Sequence, residues 1–364
     1  MEVKKANKTD WNSIDQFLTE NLRPNAEWKL SDEYPLAFSD KNLPNIRFIE
    51  KDEKVVSHAV VHPTMIRTHY HLFKVALIGS VVTDPKCQGK GYSRAVIESC
   101  TELAHQNDCD FALLWTDLFN FYAKFGFEVA GSEIALQVDE KFNPPNKTNL
   151  KILNSKKVSA QALLNVYNQH NLKTVRHVSD IQKYLNIPNS ELYTAWNQQT
   201  NKLEAYSVVG KGADFYNYIH EWGGQVSTQL SLVQHIQQEK KQKITLITPP
   251  QCENLIRQFK QYGAEEFFGV LGMIKIINPV AFCKKIKRGA RALGYNTLVF
   301  EHRDGIYYFG SENEIYQTDS DQDITRLAFG PLKPEQIHDF SPETLEIFQQ
   351  IFPIPFWVWG WDSI

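Results

Sequence analysis

Cysteine is scarce and without pattern: five in 364 residues, at positions 87, 100, 109, 252 and 283, an odd number with no C-x-x-C pair. That excludes a disulfide framework or a zinc ribbon and suits a reducing compartment. Long apolar runs are missing too, and the opening stretch MEVKKANKTDW has no hydrophobic core of a leader. A soluble cytoplasmic protein with no membrane partner is therefore expected. Excess charge of either sign is absent: the net charge is −3 and the isoelectric point about 6.4. No nucleic-acid partner is expected on that balance, since a general binder carries a basic footprint. The one basic run, Lys284–Arg291 (KKIKRGAR), reads as a solvated helix face. His69-Tyr70-His71 and the pair His58 and His62 lack any accompanying cysteine or carboxylate pattern, so no metal site is expected.

What is present is an ordinary globular composition, 42% hydrophobic and 22% charged, over a length that calls for two or three domains. The polar, proline-bearing stretch Asp139–Asn149 (DEKFNPPNKTN) reads as a linker. It separates residues 1–140 from 150–278, and a second boundary at about Asn278-Pro279 sets off 279–364. In the first part, Arg47–Glu50 and Val55–Val61 flank a polar turn and read as a hairpin. A strand follows at Lys74–Thr83, and a helix at about Tyr92–His105 places Val96, Cys100 and Leu103 on one face. Phe111–Trp115 reads as a buried strand, Leu118–Phe125 as a short helix and Ile134–Val138 as the last strand of this part. Strands alternating with helices make it an α/β (α+β) layer protein.

The informative stretch joins the strand ending near Thr83 to the helix beginning at Tyr92. Asp84-Pro85 stops the strand, and Gln88-Gly89-Lys90-Gly91 leads directly into the helix. Glycines there let the backbone turn left-handed and approach a ligand closely. The free N–H groups of the first helical turn favour a phosphate. About thirty residues on comes Phe121-Tyr122-Ala123-Lys124-Phe125-Gly126-Phe127-Glu128.

Together these two stretches resemble the signatures of the GNAT acetyltransferase superfamily: its Q/R-x-x-G-x-G/A pyrophosphate loop and its FYxKxGFE run. Ser93 departs from the loop pattern, standing where glycine or alanine is usual. The resemblance covers roughly residues 1–140 and implies a GNAT fold, a mixed central sheet flanked by helices, with acetyl-coenzyme A as co-substrate and no metal. It implies that Gln88, Gly89, Lys90, Gly91, Tyr92 and Ser93 hold the pyrophosphate. It also implies that Val81, Val82 and Thr83 pair with the pantetheine arm and that Tyr122 protonates the departing thiolate. The strand before the loop lacks the glutamate that many members use as base; Asp117 and His62 are possible substitutes.

The second part repeats this order without its chemistry. Phe215–Trp222 reads as a strand, Gly223-Gly224 as a turn, Val226–Gln238 as a helix, Ile244–Ile247 as a strand and Cys252–Tyr262 as a helix. Phe259–Glu265 then lies over Tyr122–Glu128, with Phe259 where Tyr122 stood and no glycine loop. This suggests a degenerate GNAT-like domain followed by a small C-terminal α+β extension, with a hairpin at Leu298–Phe309 and a helix at Pro342–Phe352. Tandem GNAT-like folds are similar to the enhanced-intracellular-survival (Eis) acetyltransferases, the N-myristoyltransferases and the mycothiol synthases.

The chain closes on Phe356-Trp357-Val358-Trp359-Gly360-Trp361-Asp362-Ser363-Ile364. Alternating tryptophans fit one face of an extended strand. The tail reads either as a core strand or oligomer contact, or as the carrier of the Ile364 carboxylate to the first domain as general base. The second use is implied by resemblance to the Eis and myristoyltransferase groups. Two functions are open on the sequence: acetyl transfer from acetyl-coenzyme A to a small-molecule or peptide amine, or a non-catalytic coenzyme-binding or regulatory protein.

Overall fold

The computed structural model describes residues 2–364. In chain order the first half contains β1 (Lys4–Lys5), α1 (Trp11–Leu22), α2 (Leu30–Glu33), β2 (Ile46–Lys51), β3 (Lys54–Arg67), β4 (Leu72–Thr83), α3 (Tyr92–Gln106), β5 (Phe111–Leu114), α4 (Phe119–Ala123), β6 (Glu128–Ala130) and β7 (Glu133–Val138). The middle contains β8 (Leu150–Asn154), α5 (Ala160–Tyr167), β9 (Lys173–Thr174), α6 (Val178–Tyr184), β10 (Glu191–Asn197), β11 (Leu203–Lys211), β12 (Asp214–Gly224), α7 (Val226–Lys240), β13 (Ile244–Thr248), α8 (Glu253–Gln261), β14 (Glu265–Gly269) and β15 (Gly272–Ile276). The last part contains α9 (Pro279–Ala292), β16 (Leu298–Arg303), β17 (Ile306–Ser311), β18 (Glu314–Thr318), α10 (Asp321–Phe329) and α11 (Pro342–Ile351). No described helix is long and apolar enough to cross a membrane.

Two large mixed sheets and one small sheet organise these elements. The first runs β1-β2-β3-β4-β5-β15-β6, with β9 also on β3; the second runs β14-β7-β13-β12-β11-β10-β8; β16-β17-β18 form the third. Each large sheet has one parallel pair, β4 with β5 and β12 with β13. A parallel pair needs a crossover, and α3 and α7 supply it. The unit β4-α3-β5-α4 is thus repeated as β12-α7-β13-α8, in the order read from the sequence.

Three readings need correction. β7 does not close the first sheet: it lies between β13 and β14 of the second, pairing Leu136 with Leu246 on one side and Glu266 on the other. In return β15 sits between β5 and β6. The two sheets therefore exchange a strand across the linear division. Gly223 and Gly224 are not a turn but the end of β12, opposite Tyr206 and Ala205. The tryptophan tail belongs to no sheet, and Gly360–Asp362 form a turn. It is nevertheless core: Phe356, Trp357, Val358, Trp359 and Trp361 are all at most 4% exposed.

Packing explains the tail's course. Phe356 meets Phe111 of the first sheet edge-on at 5.1 Å, and Trp359 meets Trp222 of the second at 5.2 Å. Trp361 stacks between Tyr184 and Tyr206. The tail thus runs through the apolar space shared by both sheets, with side chains packed on each side and a main-chain bond to β12, from the Gly360 N–H to the His220 carbonyl at 3.0 Å. Burial of each large side chain contributes roughly 1.5–3 kcal/mol, enough in sum to hold a segment that makes no ladder.

Four histidines are buried without charge. Burial pushes His58, His71 and His170 down to about 4 and His220 to about 3. The unfolded chain binds these protons near pH 6.5, the folded chain only near pH 4 or, at His220, near pH 3. Between those values the unfolded state holds more protons, so stability falls as pH drops from about 6.5 toward 4. Melting temperatures measured from pH 7.5 to 4.5 are expected to decline through that window; a flat profile would contradict it.

Candidate active site

The site begins with a fork in the first sheet. β4 and β5 pair at Val75–Phe111, Ala76–Ala112 and Leu77–Leu113, and there the pairing stops while β4 continues to Thr83. On its other edge β4 carries a bulge. His58 pairs with Val82 and Val60 with Gly79, so Ser80 and Val81 together oppose Ala59. Ser80 takes a left-handed φ of 49°. Its carbonyl accepts a bond from Nδ1 of the buried His58 at 2.8 Å. Val81, Val82 and Thr83, which follow the bulge, are all half-buried.

Past Thr83, Asp84 closes its turn by accepting from the Lys86 N–H at 2.8 Å. Gly89 and Gly91 have φ of 75° and 80°, and Gly91 caps α3. A Cβ built on either glycine would meet no atom within 4 Å. Gln88 and Lys90 are exposed, Tyr92 and Ser93 half-buried, and the first turn of α3 has no acidic residue. Room for a ligand, free amides and no opposing charge are what an anion needs. The glycines of the second repeat differ. A Cβ at Gly223 would lie 2.8 Å from the Tyr206 ring, and one at Gly224 2.1 Å from the Glu204 carbonyl oxygen. Those glycines serve packing.

Tyr122, on α4, is buried beside Phe121 and Phe127 and shares an apolar cluster with Ile78, Cys100 and Leu114. Burial pushes its phenol up to about 12. Ile364 reaches β4 from the opposite face. A Cβ on Gly79 would lie 2.7 Å from the Ile364 carboxyl carbon and 2.8 Å from its oxygen, so only glycine admits the chain end here. Asp117 is exposed on the loop before α4, and His62 lies on β3 opposite Leu77.

The tail is fixed by groups that the sequence reading missed. Lys211, fully buried at the end of β11, donates to the carbonyls of Gly360 at 2.8 Å and Ser363 at 2.6 Å. Burial lowers its pKa to about 7. Arg176 binds Glu221 through both outer nitrogens at 2.7 and 2.9 Å and Asp362 at 2.6 Å. Tyr184 donates to Asp362 and Tyr206 to Glu221, both at 2.9 Å. A signal existed for the approach of the chain end to β4. Gly79 interrupts an apolar strand, which marks a close approach.

The chain has relatives in sequence and in fold. Residues 2–130 match the family model described as an acetyltransferase (GNAT) domain. The chain carries a GNAT acetyltransferase domain. It is accordingly an acyltransferase of the group that transfers acyl residues other than aminoacyl. No curated protein sequence matches the chain. Among solved structures, a GCN5-related N-acetyltransferase from Anabaena variabilis aligns over 100% of both chains, with 16% identity and a TM-score of 0.70. Eis1 from Mycobacterium abscessus also covers 100% of both, at 11% identity and a TM-score of 0.62. A probable N-acyltransferase from Enterococcus faecalis covers 78% of this chain and 74% of its own, at 17% identity and a TM-score of 0.63. At these identities the likeness is one of fold: two GNAT-like domains followed by a C-terminal extension.

Proposed function

We propose that this GNAT protein is an N-acetyltransferase, moving an acetyl group from acetyl-coenzyme A to a small-molecule or peptide amine within one ternary complex. The coenzyme supplies the activated thioester. Gln88, Gly89, Lys90, Gly91, Tyr92 and Ser93 hold its pyrophosphate, and Val81, Val82 and Thr83 line its pantetheine arm along the unpaired edge of β4. The open space around Gly89 and Gly91 supports this role, as does the crowding that denies it to Gly223 and Gly224.

An acceptor ammonium has no lone pair, so it must lose a proton before it attacks. The Ile364 carboxylate takes that proton, and Tyr122 returns one to the coenzyme thiolate. A phenol raised to about 12 keeps its proton at neutral pH, as an acid must. The observation that carries this reading is the Ile364 carboxyl lying against Gly79, on a strand that has no glutamate to offer.

An acceptor screen read by thiol release from acetyl-coenzyme A tests the activity; silence across peptide, aminoglycoside and polyamine acceptors would count against it. Titration calorimetry is expected to find one coenzyme site per chain, lost in Gly91→Glu, where a carboxylate enters the phosphate cradle. Two equivalent sites, or unchanged affinity in the variant, would defeat the assignment of the loop. Tyr122→Phe keeps the ring and removes the proton. Its kcat is expected to fall roughly 10²-fold with little change in coenzyme affinity. Normal turnover would leave Tyr122 a packing residue.

A further inference from the structure

The basic run of α9 is not wholly a solvated face. Lys285 and Arg288, three residues apart on that helix, line a cavity of about 640 Å³ beneath the tip of the β3–β4 hairpin. Arg67, Tyr70 and Leu72 wall it from the hairpin, and Val175 from the segment after β9. The volume lies within the range of small-molecule sites. No aspartate or glutamate lines it.

Positive charge is left uncompensated here. Lys285 is paired with the buried Asp110 at 2.5 Å, but Arg67 and Arg288 bind no carboxylate among the described residues. Arg23, Arg176 and Arg326 each do. Lys173 adds to the excess: it stands opposite Arg67 where β9 pairs with β3, and burial together with the Arg67 charge lowers its pKa. Cations gathered at one cavity repel one another until an anion lies between them.

The groups that would meet a ligand are within its reach. Both guanidiniums are exposed, and Tyr70, Leu72 and Val175 are 42%, 46% and 50% exposed. The hairpin tip that carries them is braced. Its turn closes through the Thr68 N–H to the His71 carbonyl at 2.9 Å and the His71 N–H to the Thr68 hydroxyl at 3.0 Å. His71 itself is buried, stacked on Phe73 at 5.2 Å and seated over Gly289, where a Cβ would fall 2.0 Å from its Nε2. The hairpin arginine and the helix arginine are thus held on separate walls. A carboxylate offers them two oxygens in one plane and a single charge. A phosphate monoester offers three terminal oxygens in a tetrahedron and a charge of about −1.5 to −2, which serves donors on two walls at once.

We propose that this cavity binds a small phosphate monoester with an apolar body. Arg67 and Arg288 hold the phosphoryl oxygens, and the body lies over Tyr70, Leu72 and Val175. β4 runs 12 residues from Leu72 to Thr83, roughly 35 Å at the rise of a strand, so the site is remote from the glycine loop. It does not depend on the transfer reaction.

Calorimetry on the full chain tests the proposal with phenyl phosphate, inorganic phosphate and benzoate. Phenyl phosphate is expected to bind roughly tenfold more tightly than either, because it alone has both the head and the body. Arg67→Gln and Arg288→Gln, at exposed positions, are each expected to weaken it roughly tenfold with the melting temperature unchanged. Val175→Glu sets a carboxylate among the cations and is expected to abolish binding. Gly91→Glu, in the glycine loop, is expected to leave it unchanged. Absence of heat with phenyl phosphate would overturn the proposal. So would binding that is lost in Gly91→Glu and kept in both arginine variants, which would put the phosphate at the glycine loop instead. Inorganic phosphate binding as tightly as phenyl phosphate would overturn the apolar contact, and benzoate doing so would overturn the choice of a phosphoryl head.

Discussion

A chain carried on by several residues beyond Ile364 is expected to lose acetyl transfer while melting at nearly the same temperature as the 364-residue chain. The tail is held upstream of its last residue: Trp357, Trp359 and Trp361 are buried, and Lys211 grips the carbonyls of residues 360 and 363. An extension leaves those contacts in place but turns the terminal carboxylate into an amide, which cannot accept a proton. Loss of a general base costs roughly 10²–10⁴ in rate, so kcat should fall by that order with coenzyme affinity unchanged. Gly79→Ala approaches the same point from the strand. Its methyl would need the space that the Ile364 carboxyl fills at 2.7 Å, so the chain end must shift and the rate fall, again with little change in coenzyme binding. Asp117→Asn, on an exposed loop, is expected to be mild. Full activity in the extended chain would rule out Ile364 and return the base to Asp117, His62 or a water-mediated route.

The part of this site that could be read from the sequence is the part written in consecutive residues. The glycine loop, the helix after it and the Tyr122 run each depend on local backbone geometry, and their residues lie next to one another. The order of the second repeat was legible for the same reason, because β12-α7-β13-α8 follows from apolar periodicity within each element. The exchange of β7 and β15 was not. Ile134, Leu136 and Val138 alternate as any half-buried strand does, and nothing in that pattern tells which sheet completes it. The tail misled in a related way. Alternating tryptophans suggest a strand with one buried face, but residues on both sides of the tail are buried, because it passes between two sheets. Lys211 shows the limit most sharply. A lysine closing an apolar strand reads as solvated, and only the carbonyls of residues 360 and 363, about 150 positions away, explain its burial.

Arg176→Met is expected to be strongly destabilising. Arg176 follows β9, which pairs with β3 of the first sheet; Glu221 stands on β12 of the second, and Asp362 on the tail. One guanidinium therefore joins both sheets and the segment threaded between them, at 1% side-chain exposure. It also lies 3.8 Å over the Tyr167 ring. Removing it leaves two carboxylates facing each other away from water, with the hydroxyls of Tyr184 and Tyr206 and the Trp361 N–H left to bind them. Breaking a buried ion pair in this way costs about 3–5 kcal/mol. Urea unfolding should show a loss of that size. Arg176→Lys should recover only part of it, because a single ammonium cannot bridge both carboxylates as the planar fork does. The triple change Arg176→Met, Glu221→Gln, Asp362→Asn separates charge from shape. It removes the stranded charges along with the cation, so it should be more stable than Arg176→Met alone. Yet it releases position 362, two residues before the chain end, from its guanidinium anchor, so transfer should stay impaired even where the fold has returned. A triple variant with wild-type turnover would show that the network supports the fold and has no part in placing Ile364.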